Sequence, residues 1–312
     1  MGEQELEDVS GIGPATAKKL EEGGFKDLKS IATASAGDIS SAADISENKA
    51  RKIIGKAKDA ADFGFESAEA LMKKRSNVGK LTTGSESFDK LLDGGLETQS
   101  ITECFGAFGS GKSQIAMQLA VNVQLPVDKG GLDGTALIID SEHTFRPERV
   151  KQMAKAAGID PEKALKKITI ARAYSTDDQM IMAEKAREVI KEKKVKLVVV
   201  DSLTSLFRAE YTGRGTLASR QQKLNRHLRM LHKLADANNI AVYVTNQVMS
   251  KPDMFFGDPT KPVGGHILGH GATFRIYLRK SKGEKRIARL IDSPSLPDGE
   301  TVFKITGDGV VD

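Results

Sequence analysis

The octapeptide GAFGSGKS, Gly106 to Ser113, most narrows what this chain can fold into. Its spacing, G-x-x-x-x-G-K-[ST], requires an arriving strand, a glycine turn and a departing helix, so that backbone N–H groups cradle phosphates. Gly106, Gly109 and Gly111 allow close wrapping, with Ala107, Phe108 and Ser110 between them. Lys112 is placed to neutralise the β and γ phosphates, Ser113 to offer its hydroxyl to Mg²⁺, and Gln114 follows in the first turn.

The runs around this loop predict an α/β fold. SITECF leads into it, and TALIID, KITIA, VKLVVVD and IAVYVTNQ follow, separated by helical stretches such as QQKLNRHLRMLHKLADANN. Near-continuous apolar strands alternating with helices imply a mostly parallel sheet covered on both faces. Later, ATFRIYLRK, KRIARLID and TVFKIT with short turns predict an antiparallel extension. In a parallel sheet the strands' carboxyl ends share one edge, where ligands bind. That edge would collect the glycine loop, Glu142, Asp201, and the run Thr245, Asn246 and Gln247. Asp201 suits Mg²⁺ held through water. Glu142 can deprotonate an attacking water, or can be an ordinary capping or surface carboxylate. Gln247 can sense a γ phosphate, or pair with backbone inside the protein.

At 312 residues, 39% hydrophobic, the chain has room for one large core and a smaller module. Residues 1–60 read as a small helical domain, 61–80 as a linker and 81–312 as the core. In SGIGPATAKKL, Gly11 and Gly13 form a tight turn and Pro14 starts a helix. Such a turn can hold a phosphate beside Lys18 and Lys19, or can simply join two helices with a solvated basic face. A weaker second copy lies at ADISENKARKI. In the linker, Phe65 and Ala68 anchor a polar stretch. They can pack on their own domain, which the pattern alone favours, or enter a neighbouring copy at its sheet edge. The formal charge of +5 permits an anionic partner without demanding one. With Cys104 alone no internal disulfide can form, and with no leader or long apolar span the chain is expected to be soluble and intracellular.

After SGIGPATA come GAFGSGKSQ, IIDSEHTFRPERV, VVVDSLTSLFRAEYTGRGTLASRQQKL, VTNQV, FFGDPTKPVGGHILGH and LIDSPSLPDGE. In this order they resemble the archaeal RadA recombinases of the wider RecA family, over essentially the whole chain. The resemblance implies a RecA-like P-loop ATPase core preceded by a helix-hairpin-helix DNA-binding domain. It implies a DNA-dependent ATPase of recombination and repair in the archaeal cytoplasm. Such a protein forms filaments on single-stranded DNA, or rings, and exchanges strands with double-stranded DNA; mediator proteins are possible further partners that the sequence does not name. ATP would lie between protomers, and FESA, with Phe65 and Ala68, becomes the polymerisation handle, which reverses the reading from pattern alone. Arg208, Tyr211, Arg214 and Arg220 match the first DNA loop, and Ser250 to Val263 the second; Gly11 and Gly13 would also meet DNA. Arg149 matches a residue stacked on adenine. His266 matches one reaching the nucleotide from the neighbouring subunit, and Asp292, Pro294 and Asp298 resemble a cap over ATP that could also hold K⁺.

The chain departs from the family pattern at Ala107, Ser113, Ser141, His143 and Ser219. Ser113 keeps the metal-binding hydroxyl, whereas Ala107 and His143 stand beside the phosphates, so turnover is less firmly implied than binding. A ring helicase of similar core and a non-catalytic paralogue are the alternatives; the FESA handle and both loops favour the recombinase.

Overall fold

In the computed structural model the described residues are 6–25, 27–60, 67–250, 260–263 and 271–312. Phe65 and His266 lie outside them. The chain divides into two compact units, Met1–Arg75 and Ser76–Asp312.

The first unit is helical. Gly11 turns the chain at φ 108°, a conformation that favours glycine, and Gly13 caps α1 (Pro14–Glu22) with Pro14 at its first position. Helices α2 (Leu28–Ala32) and α3 (Ala36–Ala43) start on side-chain caps from Asp27 and Ser35. In α4 (Glu47–Ala60), Ala50, Ile53, Ile54 and Ala57 fall on one stripe and pack against Leu20, Ile31 and Ile39. Lys56 Nζ donates to Ser10 Oγ at 2.7 Å, beside the glycine turn. Helix α5 (Ala68–Arg75) opens on the exposed Ala68 and buries none of its residues.

The second unit begins with β1 (Lys80–Leu81), α6 (Glu86–Leu91) and β2 (Leu96–Glu97), the two strands forming a small antiparallel pair. Then come β3 (Ser100–Gly106), α7 (Lys112–Asn122), β4 (Thr135–Asp140), α8 (Pro147–Ala156), α9 (Pro161–Lys166) and β5 (Ile168–Arg172). After α10 (Thr176–Lys193), β6 (Val195–Asp201), α11 (Ser205–Glu210), α12 (Leu217–Asn238) and β7 (Ala241–Ser250), the chain continues through β8 (Thr260–Pro262). It ends with β9 (Phe274–Lys280), β10 (Lys285–Asp292), β11 (Gly299–Thr306) and β12 (Gly309–Val311). Among the described residues the main sheet has ten strands, in the order β12-β11-β10-β9-β3-β7-β6-β4-β5, with β8 against the end of β7.

All five expected parallel strands lie in one sheet, with β3 in the middle. β9 also runs parallel to β3, so the antiparallel extension begins one strand later than the sequence suggests, at β10. Strand alternation sorts the buried residues into two cores. Cys104, Tyr243, Ile276 and Leu278 face α7, and Ile101, Val198, Val242 and Val244 face α10 and α12. Among the described residues no helix is long and apolar enough to cross a membrane.

Candidate nucleotide-binding site

The glycine loop opens into a cleft of about 730 Å³. Gly106, Ala107, Phe108, Gly109, Gly111, Lys112, Ser113 and Gln114 line it, together with Glu142 and Gln247 from two other strand ends. Ser110 is buried behind the loop, its hydroxyl 3.5 Å from Lys112 Nζ. The loop depends on absent side chains at two points. A Cβ on Gly106 would overlap the Leu278 carbonyl, and one on Gly111, at φ 109°, would come 2.5 Å from Ile305 Cδ1.

Gly111 caps α7 without a side-chain hydrogen bond, so the positive helix end and its first amides face the cleft. Lys112 Nζ folds onto the loop's own carbonyls, donating to Gly106 at 2.9 Å and Ala107 at 3.1 Å. Burial lowers its pKa, against the pull of Asp201 and Glu142. A triphosphate is the ligand this arrangement fits: uncapped amides and an ammonium bonded only to neutral acceptors both gain from negative charge.

Asp201 closes β6 almost fully buried. Burial pushes its carboxyl up, and hydroxyls of Thr245 and Ser113 oppose the shift by hydrogen bonding. Thr144 Oγ1 adds a longer contact at 3.5 Å. A carboxylate beside the Ser113 hydroxyl is an oxygen donor set that suits Mg²⁺. Among the described residues no group of three or more His, Cys, Asp or Glu side chains could hold a metal alone. The ion therefore needs phosphate oxygens as further ligands, the usual arrangement for Mg²⁺ at a nucleotide.

Glu142 and Gln247 meet directly. Gln247 Nε2 donates to Glu142 Oε1 at 2.8 Å, so in this state the glutamine amide points at the carboxylate and not at backbone. The turn carrying Glu142 hangs on Asp140, whose two carboxylate oxygens accept the Thr144 and Phe145 amides at 3.2 Å each. Asp140 was not singled out from sequence, although it closes TALIID just as Asp201 closes VKLVVVD. Next to Glu142, His143 adopts φ 56° and tilts against Tyr174, ring centroids 4.7 Å apart.

Three further lining residues had no local sequence signal: Arg146, Arg286 and Ile305. The last two come from β10 and β11, in the antiparallel extension. Arg149 does not line the cleft. Its guanidinium is fixed by Gln114 Oε1 at 2.8 Å and by the carbonyls of Thr306 and Gly307 at 2.6 Å each. Asp292, Pro294 and Asp298 are exposed and do not line this cleft. Arg208 is exposed on α11 and Tyr211 half-buried after it, with Lys223 Nζ 5.4 Å from the Tyr211 ring centroid. Arg214 opens a short 3-10 turn, and Arg220 is half-buried in α12. Of the second loop, Ser250 and 260–263 are described, with β8 folding back on β7.

Comparison with known protein families agrees with this geometry. A SAM-like helix-hairpin-helix tandem matches residues 3–59, in keeping with a second hairpin after the glycine turn. The Rad51 family matches residues 74–312, which include every lining residue of the cleft. The chain therefore belongs to the Rad51 family of RecA-like recombinases.

Proposed function

We propose that this protein is a recombinase of the archaeal RadA type. In the presence of ATP and Mg²⁺ it assembles on single-stranded DNA as a helical filament and exchanges strands with a homologous duplex, in recombination and repair. The observation that carries this reading is the convergence of Lys112, Ser113, Glu142, Asp201 and Gln247 at one sheet edge.

Bound ATP supplies the γ-phosphoryl group, and Mg²⁺ offsets its charge. Lys112 trades its contacts to the loop carbonyls for phosphate oxygens. Ser113 and Asp201 hold the cation, and Glu142 accepts the proton of the attacking water, held in place by Gln247. Arg208, Tyr211, Arg214 and Arg220 grip the DNA backbone, and Gly11 and Gly13 in the helical unit hold a DNA phosphate. Asp292, Pro294, Asp298 and His266 serve the nucleotide of the adjoining copy, with K⁺ as the monovalent cation at the two carboxylates. Phe65 and Ala68 dock on that copy. β5 supports this last point, because among the described residues it is a half-buried edge strand paired on one side alone.

Electron microscopy with single-stranded DNA and a non-hydrolysable ATP analogue tests the proposal. Helical filaments that need both additions are expected; closed rings or lone subunits under those conditions would overturn it.

A further inference from the structure

Asn246 and Gln247 are neighbours on β7, so their side chains leave opposite faces of the sheet. Gln247 meets Glu142 on the cleft side. Asn246 is fully buried on the other, where its amide nitrogen donates to Glu103 Oε1 at 2.8 Å and to the Val263 carbonyl at 2.7 Å. Its amide oxygen accepts the Thr204 hydroxyl at 2.7 Å. The other oxygen of Glu103 accepts from Arg275 Nε at 2.8 Å. That guanidinium lies 5.3 Å from the Phe105 ring centroid, and Phe105 stacks on Tyr277.

The amide can face only one way in this cluster. Glu103 and the Val263 carbonyl take the amide protons, which leaves the amide oxygen to Thr204. Thr204 immediately precedes α11, which leads into 211–216, and Val263 is where the chain returns from β8. The Val263 amide also donates to the Gln247 carbonyl at 2.9 Å. One asparagine thus ties together the roots of two segments that lie far apart in sequence. Stability alone does not account for it, since well-packed apolar residues commonly replace a buried ion pair without loss. Fixing the position of the groups it holds is the best-attested use of such a buried cluster.

We propose that Asn246, oriented by the Glu103–Arg275 pair, is a positioning residue that fixes the roots of both DNA-facing segments against the strand bearing Gln247. The identity of the ligand those segments take rests on the function proposed above; the ordering itself does not.

The test uses Thr204→Val, which keeps the shape and removes the donor, and Thr204→Ser, which keeps the donor; Thr204→Ala is the second variant should valine prevent folding. Three quantities are measured on the full chain: amide hydrogen exchange over residues 205–216 without DNA, affinity for a fluorescent ATP analogue, and affinity for a single-stranded oligonucleotide with that analogue present. In Thr204→Val, exchange over 205–216 is expected to quicken about tenfold and DNA affinity to fall about tenfold, while nucleotide affinity stays within about twofold. Thr204→Ser is expected to restore both. Unchanged exchange in the valine variant, or nucleotide affinity falling as far as DNA affinity, would overturn the positioning role. A wild-type protein that binds no single-stranded DNA would instead overturn the proposed function, and the exchange data would then decide the positioning role on their own.

Discussion

Gly111 shows how tightly a single residue can be constrained. At φ 109° its backbone is one that residues with a side chain rarely adopt, and a Cβ would also push aside the Cδ1 end of Ile305, 2.5 Å away. Gly111→Ala is expected to weaken ATP-analogue binding by about a hundredfold or more while the fold survives, because the left-handed strain acts directly on the loop. Equilibrium titration with circular dichroism as the control checks this. Glu142 is constrained by chemistry and not by space. Its only described side-chain hydrogen bond is to Gln247, so Glu142→Gln keeps the shape and removes the carboxylate proposed above as proton acceptor. A fall in kcat of about a hundredfold or more is expected, with nucleotide affinity nearly unchanged, since general-base catalysis contributes on that scale. Steady-state ATPase assays beside binding titrations separate the two effects; equal losses in both would refute the assignment. The sequence named both residues. It did not name Arg286 or Ile305, because the residues that floor the loop come from strands about 180 positions downstream with no motif of their own.

Individual elements respond to pH in two places. Helix α6 is held at its start by the Asp312 carboxylate, which accepts from Ser85 and Ser87 hydroxyls and the Glu86 and Ser87 amides. The Ser87 and Ser85 hydroxyls chiefly lower its pKa from 3.8 to about 2. A depressed carboxylate stabilises the fold above its unfolded pKa and loses that contribution as pH falls. Asp312→Asn should therefore lower Tm at neutral pH, and the difference from wild type should close between pH 3.8 and about 2. The second place lies between α10 and α12. His227 is fully buried against Gln179, with Nδ1 lacking a partner, and burial lowers its pKa from 6.5 to about 4. The folded state holds the neutral ring, so stability is full above pH 6.5 and declines as pH falls through about 4. His227→Phe should flatten the dependence of Tm on pH across that window, measured by thermal melts; an unchanged slope would refute the assignment. Helical and strand periods made most elements legible in the sequence. The partners of Asp312 and His227 were not, because they sit on elements remote in the chain and are chosen by packing alone.

For the whole molecule, the proposed function turns on assembly. Under the proposed function, Phe65→Ala is expected to leave a folded, ATP-binding protein that no longer assembles on DNA, because one aromatic residue commonly carries most of the energy of a small interface. Sedimentation with single-stranded DNA and an ATP analogue checks this, and undiminished assembly would remove the linker from the mechanism. At this scale the sequence by itself determined the order of the elements, the phosphate loop, and which strands end in polar residues, since each is written in local spacing. Tertiary structure alone decided which polar residues meet. Gln247 faces Glu142 and the cleft while its neighbour Asn246 faces Glu103, Thr204 and Val263, and β9 joins the parallel part of the sheet before the chain turns antiparallel. The physical reason is that alternation along a strand is a local property, whereas strand order and cross-strand partners are settled by burying two apolar faces of one sheet at once.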